Sequence, residues 1–188
     1  SIKITRILRE DGYPKLSVNR VSRLMKQLDI RSVTIRKFKN YRHKQNEHSE
    51  LKNLVNQNFS AQKPNQIWLS DITYIHTVKN GWTYLASVLD VCTRKIVGYS
   101  YGRKMDRSLV ISALTNSWQN QNYPNNVILH SDRGSQYTSS EYIAAAERMG
   151  FRLSYSKKGC PFDNAPMESF HSVLKKEEVY LKHYSSFH

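Results

Sequence analysis

Between residues 67 and 102 the chain falls into largely apolar runs set apart by short polar or turn stretches. The runs IWLSDITYIHT (67–77), TYLASVLDV (83–91) and KIVGYSYG (95–102) are rich in β-branched and aromatic residues, the composition of strands. Asn80-Gly81 separates the first two, and Asn-Gly is a strong hairpin signal. The pattern then changes. From Asp106 to about Gln119, Leu109, Val110, Ala113, Leu114 and Trp118 recur at helical spacing. NVILHSD (126–132) reads as a short buried strand and FRLSYS (151–156) as another, with a serine-capped helix SSEYIAAAERMG between them that ends on Gly150. The polar stretch KKGCPFDNAP (157–166) is a loop, followed by a helix from about Asn164 to Leu181. The order β-β-β-α-β-α-β-α predicts an α/β domain: a mixed five-stranded sheet with helices on its faces.

Ahead of this domain the pattern differs. Ile2, Ile4, Ile7 and Leu8 form a partial helical stripe that Asp11-Gly12-Tyr13-Pro14 breaks. Ser17 can cap a second helix carrying Val18, Val21, Leu24, Met25 and Leu28. Two short helices around a tight turn suggest a helix-turn-helix-like module over residues 1–35; a helical hairpin that only packs fits the same pattern. Residues 36–64 read as a basic, aperiodic linker closed by Lys63-Pro64, and residues 65–188 as the main domain.

Charge sharpens the picture. The chain has 29 Lys and Arg against 15 Asp and Glu, a net +14. Residues 1–64 hold 15 basic and 5 acidic residues, residues 65–188 hold 14 and 10. A basic N-terminal third suits phosphate binding, and the candidate DNA contacts there are Arg20, Arg23, Arg36, Lys37, Lys39 and Arg42. A merely soluble basic surface is the plainer account. No apolar run approaches the roughly 20 residues of a membrane span, and no secretory signal pattern is visible. Cys92 and Cys160 form no zinc-ligand spacing or disulfide framework and read as free thiols of a reducing, cytoplasmic compartment.

Three acids sit in awkward places. Asp71 interrupts an apolar strand, Asp132 ends one, and Glu168 lies early in the last helix beside Met167 and Phe170. Singly, each has an ordinary explanation: a hydrogen-bonded strand residue, a turn cap, a charge serving the helix dipole. Together they make an oxygen-only ligand set suited to a hard cation such as Mg²⁺, of the kind that phosphodiester chemistry with a metal pair requires. Asp90, a fourth acid, reads as structural, bonding the turn at Thr93-Arg94.

IWLSDITYI (67–75), VLDVCTRKIVGYS (88–100), HSDRGSQYTS (130–139) and DNAPMESFHSVLK (163–175) resemble insertion-sequence transposases with a retroviral-integrase-like core, and this chain resembles the second-frame, catalytic product of that group. Asp132 and Glu168 have 35 residues between them, the interval typical of the group. The resemblance implies an RNase H-like fold, cleavage and transfer of DNA strands, and two Mg²⁺ or Mn²⁺ ions. It places the catalytic and metal-binding triad on Asp71, Asp132 and Glu168, with Asp71 bridging the ions. It implies that Lys175, seven residues after Glu168 and so about two helical turns on, holds DNA near the scissile phosphate, with Lys176 as the neighbouring rival. The expected partners are mobile-element ends and target DNA, further copies of the chain, as a homodimer or higher oligomer on DNA, and the first-frame product; the expected location is the bacterial nucleoid. Members of the group extend further at both ends, so this chain is expected to be a fragment. The rivals are an RNase H-like nuclease without strand transfer and an inactive DNA-binding remnant.

Overall fold

The computed structural model describes residues 2–30, 51–157 and 159–187. It separates into two units, Ser1–Lys39 and Asn40–His188. The smaller holds helices α1 (Ile2–Glu10) and α2 (Val18–Gln27). Ser17 is extended, and its side chain accepts from the Arg20 amide at 3.2 Å, satisfying one of the orphan donors at the helix start. Gly12, at φ +102°, turns the chain between the helices in a region where a Cβ is costly. Among the described residues of this unit, Thr5 and Val21 are buried. Ile2, Ile7 and Leu28 stay 73%, 54% and 69% exposed, because two short helices share only a narrow line of contact. Arg20 and Arg23 are exposed on α2.

The larger unit is built on strands β1 (Ile67–Thr77), β2 (Gly81–Asp90), β3 (Ile96–Gly102), β4 (Ile128–Ser131) and β5 (Arg152–Tyr155). Helices α3 (Arg107–Asn120), α4 (Ser140–Arg148) and α5 (Ala165–Glu177) complete it. The sheet runs β3-β2-β1-β4-β5. The first three strands pair antiparallel, and β4 pairs in parallel with both β1 and β5. Successive β1 residues point to opposite faces: Trp68 joins Val88, Leu114, Leu129 and Tyr142 in one core cluster, and Leu69 joins Leu89, Val91 and Met167 in another. Thus α3 and α4 cover one face and α5 the other. Gly98 on β3 lets α3 approach closely, since a Cβ there would lie 2.7 Å from Ser117 Cα.

Two regions depart from the sequence pattern. Residues 51–64, read as the end of a connector, pack against both clusters through Leu51, Phe59 and Ala61, and Val55 among them is only 3% exposed. The first part of that connector, with Arg36, Lys37, Lys39 and Arg42, lies outside the described residues. The last helix stops at Glu177 rather than Leu181: Glu178 leaves helical geometry, and a 3₁₀ turn spans Val179–Leu181. The chain then reverses onto the β1–β2 hairpin, where the Val78 and Lys79 amides donate to the Tyr184 and Ser185 carbonyls. Among the described residues no helix is long and apolar enough to cross a membrane.

Candidate active site

Register brings the first two acids together. Leu69 on β1 is paired with His130 on β4 in a parallel ladder. Asp71 and Asp132 each lie two residues further on, so they stand at the same level, Asp71 within β1 and Asp132 just past the end of β4, and neighbouring strands are about 4.8 Å apart. Beyond Leu69 the pairing of β1 with β4 ends, while β1 continues to Thr77 against β2. Asp71 therefore sits where one edge of β1 opens.

Helix α5 brings the third acid. Met167, fully buried, anchors the helix on Leu69 and its neighbours. Glu168, His171 and Lys175 follow at i, i+3 and i+7, one face of the helix. His171 Nδ1 lies 3.5 Å from Asp71 Oδ2. The ring is buried and its Nε2 has no hydrogen-bond partner. Sequence reasoning missed His171; its spacing from Glu168 was the available signal. Lys175 is half-buried, with its ammonium 4.9 Å from the centre of the Tyr74 ring, whereas Lys176 is exposed.

The acids also meet electrostatically. Burial pushes the Asp132 carboxyl above the usual range, the Gly134 amide partly offsets this, and the Asp71 charge adds to it. Burial likewise raises Glu168, with a further contribution from Asp71 and an opposing one from His171. Both keep contact with solvent, so the desolvation is partial. Burial lowers the Lys175 ammonium, and Asp71 opposes that. Asp71 is thus the common neighbour of Asp132, Glu168 and Lys175. Its Oδ1 accepts from the Ile72 amide, and Asp132 Oδ1 accepts from the Gly134 amide. Among the described residues no three His, Cys, Asp or Glu side chains stand close enough to enclose an ion alone. The donor set nonetheless fits a hard cation: it is all oxygen, and its mutual repulsion is what a cation relieves.

Buried hydrogen bonds hold these elements. His130 bridges the Ser154 and Ser156 hydroxyls at 2.8 and 3.1 Å. Arg133, next to Asp132, donates to the carbonyls of Ser156 and Leu51. Asp163, buried just before α5, accepts from Asn53 Nδ2, Gln57 Nε2 and the Lys157 amide at 3.0, 2.7 and 2.8 Å. It ties residues 53–57 to the loop that launches Glu168. Asp163→Ala strands three donors in a mostly buried setting and is expected to cost about 3 kcal/mol or more, read as a lowered urea midpoint; a change below about 0.5 kcal/mol would mean that the loop is held by packing alone. Asp90 serves the fold in a similar way, accepting from the Asn65 amide, the Trp68 indole and both the amide and hydroxyl of Thr93.

Residues 61–161 match the model of the integrase core domain, and residues 1–38 that of an HTH-like domain. The uncharacterized 31 kDa protein of insertion element IS600 from Shigella sonnei is 42% identical over 88% of this chain and 60% of its own length. The transposase InsF of insertion sequence IS3A from Escherichia coli K12 is 39% identical over 98% and 63%. The transposase of element IS904 from Lactococcus lactis is 39% identical over 99% and 73%. The chain therefore spans about three-fifths of the first two relatives. Among solved structures, a chain of the simian T-cell lymphotropic virus intasome aligns with a TM-score of 0.56 at 19% identity, over 91% of this chain and 54% of the other. The HTLV-2 integrase catalytic core, solved with magnesium, aligns at 0.50 and 19% identity, over 61% and 70%. These likenesses establish the RNase H-like fold of retroviral integrase cores. With its core match over more than half its length and relatives named as transposases along nearly all of it, the chain belongs to the insertion-sequence transposases of the integrase core family, with an HTH-like domain in front.

Proposed function

We propose that the chain carries the catalytic core of a DNA transposase, in which Asp71, Asp132 and Glu168 bind divalent metal, Mg²⁺ or Mn²⁺, and promote cleavage and joining of the ends of a mobile element. The observation that carries this reading is the parallel register of β1 and β4, which sets Asp71 level with Asp132, together with the 3.5 Å approach of His171, one helical turn from Glu168, to Asp71. A divalent pair bound there supplies Lewis acidity at the attacking and leaving oxygens of an in-line displacement. The residues themselves do the rest. The sheet fixes Asp71 and Asp132, Met167 fixes the rotation of α5 and so the side on which Glu168 lies, and His171, 3.5 Å away, steadies the Asp71 carboxylate. Lys175, poised over Tyr74, pairs with a phosphate of the bound strand as a compact charge. Water attacks in cleavage and a DNA 3′-hydroxyl in joining; in each the 3′ oxygen of the broken bond leaves, and no covalent protein–DNA intermediate is needed.

Support for DNA as substrate comes from the net +14 charge and the HTH-like domain. The retroviral relatives are described as an intasome and as a dimeric core, and assembly of this chain as a dimer or larger oligomer on DNA, with the first-frame product of the same element, completes the reading. The test is a gel assay with end-labelled element-terminus DNA, with and without Mg²⁺ or Mn²⁺. Nicked and joined products that require the metal are expected. Nicking without joining would indicate a nuclease of the same fold; binding without either would indicate a remnant.

A further inference from the structure

Three aromatic rings stand in solvent on the β1–β2 hairpin. Tyr74 is 51% exposed and Trp82 59% exposed, and His76 is also exposed. His76 and Trp82 are register partners across the β1–β2 hairpin. The Trp82 ring meets Tyr74 at 6.1 Å and 79°, and His76 at 5.1 Å and 78°. Both neighbours are roughly perpendicular to the indole, so they steady its plane and leave much of its area open. The fold gains little by holding three large rings in water, where most of their burial energy is forfeited.

We infer that Tyr74, His76 and Trp82 form a stacking site for unpaired bases of the DNA strand that passes the acid cluster. The inference rests on the reading of Asp71, Asp132 and Glu168 given above. Tyr74 follows Asp71 by three residues on β1 and His76 by five, about 10 and about 17 Å along a strand. Both intervals are odd, so the rings lie on the face opposite the Asp71 side chain, and Lys175, over the Tyr74 ring and with Asp71 among its charged neighbours, links the two at the open edge of β1. The patch is flanked by cations: the Lys175 ammonium lies 4.9 Å from the Tyr74 ring centre, and Lys79 is exposed in the hairpin turn. Aromatic faces interleaved with cations suit a polyanion whose bases need π-partners. They suit a protein partner less well, since lysine is depleted from the cores of protein interfaces. Paired bases already stack on one another, so the strand that gains from this patch is single or frayed.

The experiment measures binding of a fluorescent oligo(dT) and of a duplex of equal length, in chelator so that no cleavage occurs. Trp82→Ala is expected to weaken oligo(dT) binding about 5- to 100-fold and duplex binding less than about 2-fold, with Trp82→Phe retaining most of the affinity. Thermal melting checks that each variant is folded. Equal losses on both DNAs, no loss on oligo(dT), or no oligo(dT) binding by the unaltered chain would each overturn the inference. So would a change from dimer to monomer in sedimentation without the strand-selective loss, which would assign the patch to a second copy. Because the measurement needs no metal, an inactive acid cluster would leave its result standing, and a failed stacking result would leave the cleavage assay standing.

Discussion

Asp71→Asn, Asp132→Asn and Glu168→Gln should each lower metal-dependent cleavage and joining by about 10³-fold or more, while leaving DNA affinity nearly unchanged. Each substitution keeps the shape and removes a charge from the ligand set. The loss should be similar in all three, because groups that act as one unit fail together. Stability supplies an independent check. Folding raises the Asp132 and Glu168 carboxyls through burial and the charge of Asp71. A raised carboxyl favours the folded state at acid pH, and that contribution is lost as pH rises through its folded value. At neutral pH both groups are therefore ionised at a cost, and Asp132→Asn or Glu168→Gln should melt higher than the unaltered chain, with the advantage shrinking as pH falls. Divalent metal should raise the melting temperature of the unaltered chain and do so less in the variants. Near-normal cleavage by any one variant would remove that residue from the site.

What could be read from the sequence follows from what is local. IWLSDITYIHT is β-branched, aromatic and bounded by Asn-Gly, and β1 spans those eleven residues. Asp106 and Ser139 cap α3 and α4 through their side chains, a signal written within four residues. The meeting of Asp71 with Asp132 is not local. It depends on Leu69 pairing with His130, a register that no neighbouring residue announces; the awkward placement of each acid suggests a shared site, and the resemblance assigns the three to one triad. Residues 51–64 read as a polar connector because Leu54-Val55 and Phe59 are set among polar residues, yet Val55 is buried and Phe59 packs against an apolar cluster made by distant strands and a helix. The last helix ended early for a reason equally remote from its own propensity: the residues after Glu178 bond to the β1–β2 hairpin. Asp163 and His171 went unremarked because a buried acid and a buried imidazole declare themselves only by their partners.

DNA affinity should fall steeply with salt, and most of the slope should reside in the smaller unit. Neutralising phosphates releases condensed counterions, so log K falls with log salt by about 0.9 per phosphate contacted. With six to ten contacts, affinity would drop about 10³- to 10⁵-fold between about 50 and 200 mM salt. Residues 1–39 carry 11 Lys and Arg against 3 Asp and Glu, more than half of the chain's net +14. The deletion that tests this should stop at Lys39, where the first unit ends. Removing residues 1–64 would also take away Val55 and the partners of Asp163, and would confuse lost binding with lost folding. On α2, Arg20→Ala and Arg23→Ala should each reduce the slope by about one if that side chain meets a phosphate, and should weaken binding to all sequences alike. A base-reading arginine would instead relax the preference for the element's end at one position, at a cost of about 1–3 kcal/mol. Deletion of residues 1–39 that left both affinity and slope intact would move the DNA-binding surface onto the larger unit, leaving the HTH-like domain without a part in holding DNA.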